Sequence, residues 1–222
     1  MTELNLGIDD AGRGPVIGPM VLGGCVLDKE TERELTKLGV KDSKQLTQKR
    51  REFLEAIIKE KAISWAVQLA SPDLIDTSKH EGLKLNELEA VMSAKVIDEI
   101  NKKDKKIKAV LDCPSTSIVN WRNYLMNQIK YLKNLDISCE HKADQNHVSV
   151  AAASILAKCE RERQMGILKE EYGEEIGSGY PSDPLTKQFL KKYAEKYADK
   201  GIFRKTWATY TKAMEQFVQT TL

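Results

Sequence analysis

The sequence predicts an α/β protein in which helices flank a mixed five-stranded sheet and a helical extension follows at the C-terminus. Apolar residues alternate with polar or small ones in several short segments, which is typical of strands with one buried face. Helical segments separate the later strands, and strands joined through helices lie parallel by right-handed crossovers. A chain of 222 residues, 41% of them hydrophobic, is also long enough to bury a sizeable core.

The first strands are predicted to pair antiparallel. Leu4, Leu6 and Ile8 alternate with polar or small residues, and further strand patterns cover residues 20–27 and 64–70. A Gly/Pro-rich segment joins the first two strands without a crossover helix, as antiparallel neighbours allow.

Two later strands are predicted at residues 107–112 and around residues 137–141, and helices separate them. Capping residues and helical periodicity predict the helices: one from Ser71-Pro72, and others at 30–38, 47–61, 83–100, 116–130 and 148–171. The rest of the chain is predicted to be mainly helical. We therefore expect one domain over residues 1–175 and an extension over residues 176–222.

The charge balance excludes disorder driven by charge and a uniformly basic nucleic-acid coat. Lys and Arg total 35 and Asp and Glu total 33, so the formal net charge is +2. Residues 187–222 nevertheless carry +5 and the remainder −3. Two interpretations stay open: a phosphate-binding face, or an amphipathic helix pair whose lysines are only solvated. The candidates for such a face are Lys187, Lys191, Lys192, Lys196, Arg204, Lys205 and Trp207.

The cysteines and histidines give no sign of a metal or disulfide framework. The cysteines are too far apart for a Cys-x-x-Cys pair and have mostly apolar neighbours, so we expect reduced, buried thiols in a cytoplasmic protein. The longest apolar run, residues 148–157, is about half of a membrane span. The histidines are not at ligand spacing, and we expect His80, His141 and His147 to be structural or surface residues.

Four aspartates follow predicted strands, at the places where sites form in open α/β sheets. They are Asp9, Asp10, Asp112 and Asp144. A single aspartate at a strand end is usually a cap or turn residue. Several together repel one another unless a cation lies between them, and Mg²⁺ or Mn²⁺ prefers such oxygen ligands.

A glycine-flanked arginine follows the first acidic pair, in the loop Gly12-Arg13-Gly14. Glycines let backbone N–H groups approach a phosphate or a sugar, and a guanidinium can hold a phosphate. Alone, this tripeptide is a weak signal that a plain tight turn would explain. Its position next to two acids at a strand end is what makes it a candidate binding loop.

Six motifs together resemble those of ribonuclease HII, most closely its archaeal members. They are GIDDAGRGPVIGP (7–19), DSKQL (42–46), LDCP (111–114), KAD (142–144), SVAAASILAK (149–158) and GSGYPSDP (177–184). The resemblance covers nearly the whole chain in the family's order. It implies a ribonuclease H-like fold with a C-terminal helical, substrate-binding extension. It also implies hydrolysis of the RNA strand of RNA/DNA hybrids and nicking 5′ to ribonucleotides embedded in duplex DNA.

The resemblance also implies roles for single residues. Asp9, Asp10, Asp112 and Asp144 would be the catalytic cluster, holding two Mg²⁺ or Mn²⁺ ions for hydrolysis to 3′-hydroxyl and 5′-phosphate ends. The loop Gly12, Arg13 and Gly14 would sense the ribose 2′-hydroxyl, and Tyr180 would pack beside the next sugar. Lys44 and Lys158 match family lysines, for which we expect phosphate contacts.

Two departures from the family pattern shape the remaining expectations. Asp10 stands where members usually have Glu, and the missing methylene withdraws the carboxylate by about 1.5 Å. The alternative function is therefore a weakened or non-catalytic relative that only binds hybrids or junctions. Residues 216–222 lack the aromatic pair of a sliding-clamp peptide, so we expect no clamp binding through this tail. Separately, we expect a monomer.

Overall fold

The computed structural model of the chain describes residues 3–40 and 46–220, with side chains to residue 216. The strands are β1 (Leu4–Ala11), β2 (Met20–Asp28), β3 (Ser64–Ala70), β4 (Ile107–Asp112) and β5 (Leu135–Glu140). The first helices are α1 (Lys29–Lys37), α2 (Gln48–Lys61), α3 (Pro72–His80), α4 (Leu85–Ile100) and α5 (Ile118–Gln128). They are followed by α6 (Ala143–Asn146), α7 (Val148–Tyr172), α8 (Pro184–Tyr193) and α9 (Ala208–Thr220).

The sheet is mixed and has five strands in the order β3-β2-β1-β4-β5, which confirms the predicted fold class. β1 pairs antiparallel with β2, parallel with β4, and β4 pairs parallel with β5. The carboxyl ends of β1, β4 and β5 therefore meet at one edge of the sheet, where the predicted acidic cluster belongs.

Local chemistry explains where the helices begin. The Thr47 hydroxyl accepts a hydrogen bond from Arg50 N at 3.3 Å, which caps α2, and the Ser71 hydroxyl accepts one from Leu74 N at 3.1 Å, which caps α3. Pro72 then occupies the first turn of α3, where its missing N–H costs no helical hydrogen bond.

Helix α7 contacts the sheet through backbone atoms. A Cβ on Gly7 of β1 would lie 2.1 Å from the carbonyl carbon of Ser149, and one on Gly23 of β2 would lie 2.5 Å from the oxygen of Ala153. Only glycine allows this approach, and the small residues at the start of α7 complete it. The N-terminal half of α7 is consequently buried, as its composition predicts.

The chain divides into two compact units. Unit 1 comprises residues 1–11, 21–68 and 86–160, and its core includes Leu27, Leu54 and Ile155. Unit 2 comprises residues 12–20, 69–85 and 161–222, and Phe189 and Phe203 pack in its core. The expected functional division between residues 1–175 and 176–222 stays a prediction.

The four cysteines are buried and free, as expected. No helix among residues 3–40 and 46–220 is both long and apolar enough to cross a membrane.

Candidate active site

The carboxyl ends of β1 and β4 bring two of the predicted aspartates together. The last residue pair between these parallel strands is Ile8 with Leu111, so Asp9 and Asp112 are the next residues on neighbouring strands. β1 continues to Ala11 by pairing with β2, so Asp9 and Asp10 lie within the strand and not just after it, contrary to our expectation. Because successive side chains of a strand point to opposite faces of the sheet, the side chain of Asp10 leaves the sheet on the face opposite to that of Asp9.

Asp9 is a buried carboxyl group in an acidic environment, with 9% of its surface exposed. Burial first, and then the charges of Asp10 and Asp112, together raise the pKa of Asp9 to about 8. Asp10 N donates a hydrogen bond to Asp9 Oδ1 at 2.8 Å. The Ser154 hydroxyl of α7 lies near enough to oppose the rise in pKa, but it is buried and makes no well-formed hydrogen bond to the described residues.

Asp112 also fixes the segment that carries Asp144. Its Oδ1 accepts a hydrogen bond from Ala143 N at 2.7 Å, at the start of the four-residue helix α6. Lys142, immediately before, adopts a left-handed conformation with φ 57° and turns the chain from β5 into α6. Asp144 is buried in α6. Sequence periodicity missed α6 because it is a single turn.

The acidic residues fit a hard divalent cation in their chemistry. They offer carboxylate oxygens, and burial together with their mutual repulsion raises the pKa of Asp9. Ser154 Oγ beside Asp9 has no well-formed hydrogen bond among the residues that the structure describes. Within the described part of the chain, no three His, Cys, Asp or Glu side chains already form a gathered ligand group. The structure therefore brings Asp9 and Asp112 together, and the gathering of all four aspartates around a cation stays a prediction.

Of the two lysines that the resemblance suggests as phosphate contacts, the structure describes one. Lys158 lies on α7 one turn after Ser154, so both share the face that meets the end of β1. Lys158 is half-buried and has an interaction partner. Lys44 lies outside the described residues.

Two histidines near the end of β5 make structural contacts. His141 Nδ1 lies 2.8 Å from the Cys113 carbonyl oxygen, and His147 Nε2 lies 3.0 Å from Glu140 Oε2. These contacts agree with the structural roles expected from the sequence.

In unit 2, the structure brings the predicted loop and Tyr180 together. Gly14 is exposed, and a Cβ there would lie 3.7 Å from Tyr180 Cε1. Gly12 is buried with φ +82°, a conformation that favours glycine, and a Cβ there would lie 2.4 Å from Arg161 Cδ. Tyr180 is 39% exposed, so the exposed backbone of Gly14 and an aromatic side chain lie side by side.

Arg161 supports this arrangement and was missed by sequence reasoning. Its guanidinium lies 5.0 Å from the centre of the Tyr180 ring, and its Nη2 donates to the Ser178 carbonyl at 2.9 Å. Burial lowers the pKa of the Arg161 guanidinium, and its Nε is buried without a hydrogen-bond partner among the described residues. An arginine in a charged helical stretch carries no signal of such a role.

The basic C-terminal region agrees only in part with the predicted phosphate-binding face. The lysines of α8 and the following turn are exposed while Phe189 is buried, so the helix is amphipathic. The ammonium of Lys196 lies over the rings of Tyr193 and Tyr197. Arg204 is 0% exposed and cannot belong to a surface that contacts phosphates, so that prediction is wrong. Helical charge spacing cannot show which cations are buried.

Comparison with known proteins gives a consistent result over nearly the whole chain. The sequence model of the family described as Ribonuclease HII matches residues 6–210. A protein named Ribonuclease HII from Pyrococcus horikoshii is 40% identical over 212 residues, covering 95% of this chain and 93% of the relative. The crystal structure of ribonuclease H2 from the same organism has a TM-score of 0.86 at 39% identity, covering 97% of this chain and 99% of that one.

Two further solved structures are similar. The structure described as the PCNA:RNase HII complex from Archaeoglobus fulgidus has a TM-score of 0.81 at 36% identity, covering 94% of this chain and 96% of that one. Bst-RNase HIII in complex with Mn²⁺ has a TM-score of 0.81 at 22% identity, covering 96% of this chain and 70% of that one, which shows a shared fold.

Proposed function

The chain belongs to the ribonuclease HII family, and from this premise we propose that it is an endoribonuclease acting on RNA/DNA hybrids. We further propose that it nicks duplex DNA 5′ to embedded ribonucleotides, leaving 3′-hydroxyl and 5′-phosphate ends. The observation that carries the proposal is the acidic strand end, where Asp10 and Asp112 charge the surroundings of buried Asp9.

The chain's carboxylates would hold the reaction's divalent cations. We propose Asp9, Asp10, Asp112 and Asp144 as ligands of two Mg²⁺ or Mn²⁺ ions, and the Mn²⁺ bound by Bst-RNase HIII, which shares the fold, supports this choice. When bound, such ions supply the positive charge that activates water and stabilises the departing oxygen. Asp112 has a second task, because its hydrogen bond to Ala143 N orients the segment of Asp144.

Recognition of the ribonucleotide is assigned to residues of unit 2. We propose that the loop Gly12, Arg13 and Gly14 contacts the 2′-hydroxyl through backbone groups, and that Tyr180 packs on the adjacent sugar. The proximity of Gly14 to the Tyr180 ring, 3.7 Å from the place of a Cβ on Gly14, supports this, because one nucleotide could meet both. For Lys158 and Lys44 we propose phosphate contacts.

The wider setting of the enzyme is also a proposal. The exposed lysines of α8 and the adjacent turn would follow the phosphate backbone. Residues 176–222 would thus bind substrate, and residues 1–175 would carry the catalytic groups. We propose a cytoplasmic monomer that serves ribonucleotide removal and DNA replication. The Archaeoglobus fulgidus relative was solved with PCNA, whereas we propose that this chain does not use residues 216–222 for that purpose.

The non-catalytic alternative finds no support in these comparisons, because the matching relatives carry the name of an enzyme. Asp10 affects the expected rate and not the class of reaction.

The direct test is cleavage of matched duplexes that carry one ribonucleotide, several ribonucleotides or none, each with Mg²⁺, with Mn²⁺ and with chelator. We expect metal-dependent cleavage of the first two substrates only. Gly14→Ala tests recognition of the ribonucleotide. Its methyl group fits the fold, at 3.7 Å from Tyr180, but it lies on the exposed side of the loop where the nucleotide would bind. It should weaken binding of the ribonucleotide duplex without lowering thermal stability, and Gly166→Ala, at a position with open space, is the matched control.

A further inference from the structure

Arg204 is a fully buried cation in unit 2 whose hydrogen bonds go to the backbone of one loop. Its Nη2 donates to the Gly12 carbonyl at 2.6 Å, and its Nη1 donates to the Arg13 carbonyl at 2.9 Å. Its Nε and Nη2 also donate to the Gly18 carbonyl at 3.1 and 3.0 Å. The guanidinium therefore holds both ends of the loop that begins with Gly12.

Burying a guanidinium is costly unless its N–H groups find acceptors, and here three carbonyl oxygens supply them. Hydrogen bonds from a charged donor are about twice as strong as neutral ones, and the planar fork fixes the direction of each acceptor. A lysine ammonium has no such fork, so it cannot hold three separate carbonyls in the same way.

These hydrogen bonds also set the direction of the loop's N–H groups. In a trans peptide the C=O and the following N–H point in opposite directions. Because the carbonyls of Gly12 and Arg13 point to Arg204, the N–H groups of Arg13 and Gly14 point away from it. Gly14 is exposed beside Tyr180, so its N–H belongs to the open side of the loop.

The segment that carries Arg204 is itself anchored. Buried Asp76 of α3 accepts hydrogen bonds from Lys205 N at 2.6 Å, Thr206 N at 3.0 Å and the Thr206 hydroxyl at 2.6 Å. Arg204 N donates to the Val16 carbonyl at 2.9 Å, which ties the segment to the loop a second time. Asp76 thus fixes the two consecutive peptide groups that follow Arg204.

We propose that Arg204 is a positioning residue for ribonucleotide selection. It fixes and polarises the peptides of Gly12 and Arg13, so that the N–H groups of Arg13 and Gly14 are directed and strengthened as donors to an oxygen of the ribose. Asp76 holds Arg204 in place. This inference rests on the proposed role of the loop, and it extends that role to residues far away in the sequence.

The test compares two substrates in the full-length chain with Mg²⁺: a duplex with one ribonucleotide and a long RNA/DNA hybrid. The variants are Arg204→Lys, Arg204→Gln and Asp76→Asn, and single-turnover kcat/KM is measured for each. A long hybrid offers many registers and many 2′-hydroxyls, so loss of directed donors should matter less there. We expect both Arg204 variants to lose at least tenfold on the single ribonucleotide and less than threefold on the hybrid.

Arg50→Lys is the matched control, because exposed Arg50 also donates to a backbone carbonyl, that of Leu38 at 2.7 Å, and has no assigned role. It should leave both rates unchanged. Thermal unfolding identifies any Arg204 variant that does not fold. In that case the inference is tested by Asp76→Asn, which retains the size of the side chain. It should show the same selective loss at a smaller amplitude.

Equal losses on both substrates would show that Arg204 supports only the fold, and unchanged rates would show that the loop does not need it. Either result overturns the inference. If the unchanged chain cuts neither substrate, the proposed function fails instead, so the two failures are distinguishable.

Discussion

Replacing Asp9 by asparagine tests the electrostatics of the acidic strand end. Asn keeps the size of the side chain and the oxygen that accepts the hydrogen bond from Asp10 N, but it cannot ionise. The pKa of Asp9 is raised from 3.8 to about 8, so the folded protein holds this proton more tightly than the unfolded chain. The contribution of Asp9 to the free energy of unfolding is therefore fully present at low pH, and it is lost as the pH rises from about 4 towards 8.

The magnitude follows from the shift. A difference of about four pKa units at about 1.4 kcal/mol each sets an upper limit of about 6 kcal/mol, and local relaxation reduces it. We expect the unchanged chain in chelator to lose about 2–4 kcal/mol of unfolding free energy between pH 5 and pH 8. Asp9→Asn should lack this loss and be more stable than the unchanged chain at pH 8 by a similar amount.

Denaturant unfolding at several pH values, in chelator and in Mg²⁺, measures both effects. The cation should stabilise the unchanged chain at pH 8, because it compensates the ionised carboxylates, and it should stabilise Asp9→Asn much less. Glu99→Gln, at an exposed carboxylate, is the control for a general charge effect. If Asp9→Asn in chelator is no more stable than the unchanged chain at pH 8, the reasoning about Asp9 is refuted.

Three further substitutions test the site by kinetics. Asp112→Asn should abolish nicking yet leave the fold intact, since Asn retains an oxygen for Ala143 N; near-unchanged nicking would contradict its role. Tyr180→Ala should slow cleavage at a single ribonucleotide more than within a long RNA run, and equal losses would remove it from junction recognition. Asp10→Glu should raise the single-turnover rate in Mg²⁺ by about tenfold, equal to about 1.4 kcal/mol. The gain should be smaller in Mn²⁺, and no gain in Mg²⁺ would show that the backbone is already adapted to Asp10.

The sequence predicted the parts of this protein that depend on local patterns. Alternation at Leu4, Leu6 and Ile8 predicted β1 because a strand has a period of two, and Thr47 and Ser71 predicted helix starts through their side-chain caps. Local patterns contain no information about which strands are neighbours. The adjacency of Asp9 and Asp112 follows from β1 and β4 pairing, which is a property of the whole sheet.

The same limit explains the supporting residues of the site. Arg204 and Asp76 are 128 residues apart along the chain, and their charges fit a solvated surface equally well in sequence. Only the fold shows that both side chains are buried and bonded to backbone groups. Tyr180 was found through its motif, whereas Arg161, which supports its ring, had no motif of its own.

The backbone contact between β1 and α7 restricts how this enzyme can change by mutation. A side chain on Gly7 would overlap the main chain of Ser149, and no rotamer or neighbouring substitution can relieve an overlap between main-chain atoms. Single substitutions therefore cannot retune the acidic site by moving the helix against the strand. The accessible route is the length of a side chain at the strand end, and Asp10, where the resemblance implies Glu in other members, is a position of that kind.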